Sequence, residues 1–185
     1  NPLELLVSRQ SIVEIWNAPL PKRSRALTNF PDKMELCCNT PDGRQIVLQS
    51  GKDRFEVWNT IKVEKSFEWP LAGSRILVYA ISPDGRTVAG TRASGTIDLF
   101  QTIKNGTINY IKNAGNVRIM QFSPDGRLLA TGDDRGTIHV WDVASGEIRA
   151  DIPAHRGSVT CLAFSSDGNN FLSGSVDQTI KAWDL

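Results

Sequence analysis

His155, Ser173 and Asp177 are the residue types of a nucleophilic triad: an imidazole to take a proton, a hydroxyl to attack and a carboxylate to orient the ring. They are the most chemically suggestive set in the 185 residues. The other histidine, His139, lies in the run TIHVW, which places it at a contact between sheets or on a rim, with metal binding the lesser alternative. Cys37, Cys38 and Cys161 sit in apolar strand-like runs without metal-type spacing, so buried free thiols in a reducing compartment are expected. There is no Gly-rich phosphate loop, no paired carboxylates in a recognisable context and no ligand cluster. No catalytic residue, cofactor site or metal site is therefore expected, pending what the elements around His155 turn out to be.

Composition bounds the classes. Hydrophobic residues make up 40% and charged residues 22%, values of a soluble globular chain. The 21 basic and 20 acidic residues leave a net charge of +1, and no long basic run is present, so nucleic acid is not an expected partner. The longest apolar run, Ile76 to Ile81, is too short for a bilayer, so no membrane association is expected. No charged-then-apolar leader follows Asn1, and no secretory signal is read.

The elements that position His155 and its neighbours repeat along the chain. TPDGR (Thr40 to Arg44), SPDGR (Ser82 to Arg86), SPDGR (Ser123 to Arg127) and SSDG (Ser165 to Gly168) put an aspartate at Asp42, Asp84, Asp125 and Asp167, with gaps of 42, 41 and 42. A second marker is an aromatic followed by a polar residue, led by Trp16, Trp58, Phe100, Trp141 and Trp183, with gaps of 42, 42, 41 and 42. A fixed period of this length signals a repeat architecture. Within each period an apolar run (VRIMQF) precedes the Pro-Asp-Gly turn, a second run (LLATG) follows it, and a third (TIHVW) ends on the aromatic. A more variable run such as GEIRADI completes the period. Four short strands per unit are predicted. The first runs are apolar at consecutive positions, the pattern of strands covered on both faces. Small sheets stacked face to face around an axis make an all-β fold of four-stranded antiparallel blades, a β-propeller; a plain β-sandwich demands no such period.

HRGSVTCLAFSSDGNNFLSGSVDQTIKAWDL (His155 to Leu185) resembles a nearly complete WD repeat, and the resemblance extends over essentially the whole chain. It is most specific in the last two units, because only two markers read Trp-Asp while two read Trp-Asn and one Phe-Gln. The resemblance implies a hydrogen-bonded tetrad, which in the last unit is His155, Ser173, Asp177 and Trp183, with Ser175 an alternative to Ser173. On that reading the apparent triad ties a loop onto its own blade. The preceding unit offers Asn113, Thr131, Arg135 and Trp141, its acid displaced to Asp134. The two before it offer Ala72, Gly90, Ser94 and Phe100, then Phe30, Leu48, Lys52 and Trp58. One tetrad in four is intact, so the other blades are expected to be softer.

The strand pattern predicts about eighteen strands, or four and a half blades: a partial one over 1–32, full ones over 33–74, 75–116 and 117–158, and a partial one over 159–185. Leu3 to Ser8, Ser11 to Trp16 and Arg25 to Phe30 read as the strands of the first. The expectation is a segment of a longer propeller, seven-bladed by resemblance. Alone it would leave end faces and sheet edges open to solvent and behave poorly.

A rigid disc with many loops and no reactive centre is a platform. The resemblance implies that loops on one face bind peptides or other domains, so a non-catalytic protein–protein interaction scaffold is expected. Those loops carry Arg54, Arg75, Arg92, Arg135 and Arg156, whose planar forks suit an acidic or phosphorylated partner segment. The alternatives are a sensor propeller attached to a catalytic or signalling domain and, least favoured, a small-molecule site in the central channel. A cytoplasmic or nuclear location suits the free cysteines.

Overall fold

The computed structural model describes residues 4–9, 12–17, 22–27, 34–50, 54–71, 76–103, 106–111 and 114–185, with backbone alone up to residue 27 and over 106–109. They form eighteen strands in five antiparallel sheets. Residues 1–75 and 76–185 are two compact units. The first unit holds a three-stranded sheet of β1 (Glu4–Arg9), β2 (Ile12–Asn17) and β3 (Lys22–Leu27). It also holds a four-stranded sheet of β4 (Glu35–Asn39), β5 (Gln45–Ser50), β6 (Arg54–Asn59) and β7 (Glu64–Pro70). In the second unit, β8 (Tyr79–Ile81), β9 (Thr87–Thr91), β10 (Ile97–Gln101) and β11 (Gly106–Ile111) form one four-stranded sheet. Another contains β12 (Val117–Phe122), β13 (Leu128–Asp133), β14 (Thr137–Asp142) and β15 (Ile148–Pro153). The last comprises β16 (Val159–Phe164), β17 (Asn170–Ser175) and β18 (Ile180–Asp184). Strands lie in chain order within every sheet, as successive hairpins require. The fold is all-β, of the β-propeller class.

The recurring Pro-Asp-Gly turn explains why each first hairpin has the same shape. In the β12–β13 turn the Gly126 amide donates to the Ser123 carbonyl (2.9 Å), and Gly126 takes φ 72°. That is a turn closed by a left-handed residue, the form that matches strand twist. The Ser123 hydroxyl donates to Asp125 Oδ1 (2.6 Å), which also accepts the Arg127 amide (3.0 Å). Thr40 with Asp42, Ser82 with Asp84 and Ser165 with Asp167 repeat the arrangement. Each turn is also fastened to the far end of its own third strand: the Thr60, Thr102, Val143 and Leu185 amides donate to the carbonyls of Arg44, Arg86, Arg127 and Asn169, each at 2.9 Å.

Full burial is concentrated in the second and third strands; of the first strands β8 shares it, whereas β4, β12 and β16 do not, which corrects the expectation for those three. β5, β9, β10 and β13 are buried at nearly every position. β12 exposes Arg118 and Gln121, and β4 is only half-buried. A register shift between Val117 and Ile119 bends β12 so that Arg118 turns outward. The third strand of the first sheet, β3, begins at Lys22, not Arg25, since it pairs back onto β2 with Trp16 opposite Arg23.

In the second unit successive sheets stack. Ala130, Ile138 and Val140 share a core with Val159, Leu162 and Phe171 of the following sheet. The approach is close enough that a Cβ on Gly132 would lie 2.6 Å from the Val159 side chain. The last sheet shows what stacking supplies: Ile138 is 0% exposed, whereas Ile180, at the equivalent place in β18, is 78% exposed.

Candidate functional site

The last sheet gathers the four predicted tetrad residues into one hydrogen-bonded series. Ser173, central in β17, is fully buried and faces Lys181 of β18. Its Oγ accepts the Trp183 indole N–H at 2.8 Å and lies 2.7 Å from His155 Nε2. The other ring nitrogen, Nδ1, lies 3.2 Å from Asp177 Oδ2 and 3.0 Å from Thr179 Oγ1. With the ring proton on Nδ1 every group is satisfied: Trp183 donates to Ser173, Ser173 to His155, and His155 to Asp177. Asp177 also accepts the Thr179 hydroxyl (2.7 Å) and the amides of Arg156 (2.9 Å) and Thr179 (3.0 Å). The Thr179 hydroxyl, then the Arg156 amide, hold its carboxyl well below the usual carboxylate range. Asp177 thereby ties the β17–β18 turn to the link that enters β16. Ser175 has a different task, accepting the Asp177 amide (3.1 Å) and donating to the Gly157 carbonyl (2.9 Å). Thr179 belongs to the network and escaped sequence reasoning; its place two residues after the acid was the available signal.

The other sheets keep part of this arrangement or replace it. Trp141 donates to Thr131 Oγ1 at 2.9 Å, repeating the indole–hydroxyl bond. The acid of that turn is Asp133 and not Asp134, since Asp133 Oδ1 accepts the Arg135 and Thr137 amides at 3.0 and 2.7 Å. Asp134 turns aside to the Asn116 side-chain amide (2.6 Å). Asn113 lies outside the described residues, as do Ala72, Phe30 and Lys52.

In the β4–β7 sheet Leu48 occupies the hydroxyl's place and cannot accept a bond. Directly opposite Leu48 stands Glu56, 1% exposed, and Trp58 Nε1 donates to its Oε2 at 2.7 Å. Arg54 Nε donates to the other oxygen at 2.8 Å. In the next sheet Gly90 holds the equivalent place, Phe100 needs no acceptor, and Asp98 opposite Gly90 takes Arg92 Nε at 2.5 Å. An acid facing the missing hydroxyl, two residues before the aromatic, thus replaces the hydroxyl-centred network with an ion pair. Glu56 and Asp98 were not singled out from sequence, although the repeat spacing places them in register. Because Arg54 neutralises a buried carboxylate, Arg54→Ala is expected to lower stability by about 1–2 kcal/mol, the loss limited by its partial exposure and a second cation nearby. Urea unfolding measures it; that cation is Lys65, 3.5 Å from the same oxygen.

The five candidate arginines therefore separate. Arg54 and Arg92 are engaged with acids of their own sheets. Arg75 lies outside the described residues. Arg135 and Arg156 are exposed. A cleft of about 530 Å³ opens where the β9–β10 turn meets the segment entering β12, bordered by Leu77, Arg92, Ser94, Gly115 and Asn116. Leu77 is largely exposed there.

Sequence comparisons agree with this geometry. The family model described as "WD domain, G-beta repeat" matches residues 107–142 and 146–184, the two repeats with Trp-Asp markers. The meiotic recombination protein rec14 of Schizosaccharomyces pombe is 31% identical over 140 residues, 73% of this chain and 46% of that protein. The chain belongs to the WD-repeat family. The WD repeat-containing protein SL1-17 of Schistosoma mansoni is 26% identical over 76% of this chain and 47% of its own length. The apoptotic protease-activating factor 1 of Rattus norvegicus is 33% identical over 50% of this chain but 8% of its own length. The chain spans about half the length of the first and second of these relatives. WD repeats generally mediate binding to other proteins, and WD-repeat proteins are generally non-catalytic.

Two remaining residues fit the repeat frame. His139 stands two residues before Trp141, the place Glu56 and Asp98 hold in their sheets, with Nε2 3.5 Å from Asp151 Oδ1. Among the described residues no group of histidine, cysteine and acid side chains is arranged to hold a metal ion. Cys37 and Cys38 are half-buried, but Cys161 is exposed, against the expectation of burial. It lies on the face of β16 that turns away from the preceding sheet.

Proposed function

We propose that this protein is a non-catalytic interaction platform that binds partner segments through the turns and links bordering the cleft in residues 76–185. The cleft itself carries the reading. It is concave, polar groups (Arg92, Ser94, Asn116) share its border with the exposed Leu77, and the two connections beside it are joined by the Ala114 amide, which donates to the Gly95 carbonyl at 3.0 Å. The His155–Ser173–Asp177–Trp183 set serves as a clamp and not as a reaction centre. A nucleophilic serine needs an exposed oxygen, whereas Ser173 is fully buried and accepts an indole N–H. Affinity capture with mass-spectrometric identification, comparing the wild type with Leu77→Asp, tests the platform. Loss of at least about tenfold of captured partner is expected, since truncating an anchor residue commonly costs that much; an unchanged partner set would overturn the reading. A regulatory propeller within a larger protein is the second reading, supported by the small share of the rat relative that this chain matches.

A further inference from the structure

We propose that Arg135 and Arg156 together receive carboxylates of an acidic segment on a partner protein. This goes beyond the platform reading, adding a contact at the joint that follows the cleft, and rests on it. The two residues come from different connections, Arg135 from the β13–β14 turn and Arg156 from the link between β15 and β16. Backbone bonds bring those connections together: the amides of Ala154 and His155 both donate to the Gly136 carbonyl, at 3.1 and 2.9 Å. Each arginine is the immediate neighbour of a residue in that contact. Both backbones are fixed further, the Arg135 amide by Asp133 Oδ1 (3.0 Å) and the Arg156 amide by Asp177 Oδ2 (2.9 Å).

What distinguishes the pair is the lack of an acid. Among the described residues neither guanidinium has an ion-pair partner, and both side chains are exposed. The carboxylates of the β13–β14 and β17–β18 turns already have donors. Asp133 holds two turn amides. Asp134 takes Asn116 and lies 3.6 Å from Arg118. Asp177 is ringed by His155, Thr179 and the Arg156 amide. At the preceding joint the corresponding turn contributes Arg92, which Asp98 neutralises. Two uncompensated guanidiniums on adjoining rigid backbones are a fork-shaped receptor for carboxylate oxygens. Beside them Val176, 61% exposed, packs against Gly157, so an apolar side chain in the partner segment has a surface to lie on.

The test is titration of short fluorescein-labelled peptides, rich in glutamate around one central leucine, into the full chain. Matched basic and uncharged peptides and a phosphoserine version serve as comparisons. The acidic peptide should bind, with affinity falling as salt rises. The double variant Arg135→Ala/Arg156→Ala should bind it at least about tenfold more weakly, while Arg86→Ala/Arg127→Ala, which removes the same charge from Pro-Asp-Gly turns, should bind like the wild type. Equal loss in both double variants would reduce the effect to net charge and overturn the proposal. Acidic binding that survives Arg135→Ala/Arg156→Ala would also overturn it while leaving the platform standing. Failure of the wild type to bind any of the peptides would count against both readings. Markedly tighter binding of the phosphoserine peptide, lost in the same variant, would overturn the carboxylate assignment in favour of phosphate.

Discussion

Alanine at Gly136 is expected to lower unfolding stability by about 3–4 kcal/mol, from left-handed strain plus a steric clash that the surroundings cannot relieve. Gly136 adopts φ 92°, and a Cβ there would lie 2.3 Å from the His155 carbonyl oxygen and 2.8 Å from that of Gly157. Both obstacles are backbone, so no rotamer change removes them. The same turn position in the next repeat is Gln178, at φ 68°. A side chain is thus accommodated in the left-handed conformation at this turn position, and the His155 carbonyl decides the outcome at Gly136. Gly126→Ala separates the two effects: its φ is 72°, but the nearest atoms to a Cβ are 3.8 and 3.9 Å away. That variant should lose about 1–2 kcal/mol, the conformational cost alone. Urea unfolding of both variants measures the difference; equal losses would show that the link yields.

Ser173→Ala should cost about 2–3 kcal/mol, because it breaks two bonds at one atom and leaves a buried acceptor unpaired. His155 Nε2 suffers most, since its side chain is 0% exposed and no water replaces the hydroxyl. Trp183 is only partly buried, so solvent compensates its N–H in part. Ser173→Thr should restore most of the loss, for Thr131 already performs the same task toward Trp141 at 2.9 Å. Thr131→Val removes the buried bond from Trp141 and a long one, 3.5 Å, to the His139 carbonyl, and should lose about 1 kcal/mol. Tryptophan fluorescence during urea unfolding reads all three. A Ser173→Ala variant as stable as the wild type would remove the clamp role proposed for the network.

These two cases mark where sequence reasoning succeeds and where it stops. The Pro-Asp-Gly turn was legible because its determinants are local: Pro41, Asp42 and Gly43 each act within a few residues. The last network was legible because one repeat contains all four members at family offsets. The roles of Glu56 and Asp98 were not, because they depend on which residue each faces across the sheet. Only the register showing Leu48 opposite Glu56 and Gly90 opposite Asp98 makes the acids intelligible. The loop arginines look alike as letters, and proximity to those acids separates Arg54 and Arg92 from Arg135 and Arg156. The apolar first runs foretell full cover for β8 but not for β4, β12 and β16, because an apolar run records burial without recording which neighbours supply it.

The fastening of each Pro-Asp-Gly turn to the end of its own third strand bears on how the chain acquires its structure. The Thr60 hydroxyl reaches the Gly43 carbonyl (2.8 Å), and Thr102 reaches that of Gly85 (3.0 Å), each across 17 residues of the same sheet. Contacts of low sequence separation carry little loop-closure cost and form early. Every hairpin pair can nucleate independently, and docking of one preformed ribbon on the next becomes the slow step. Assembly then resembles laying tiles in order, so a lesion in one repeat delays its neighbours without scrambling them.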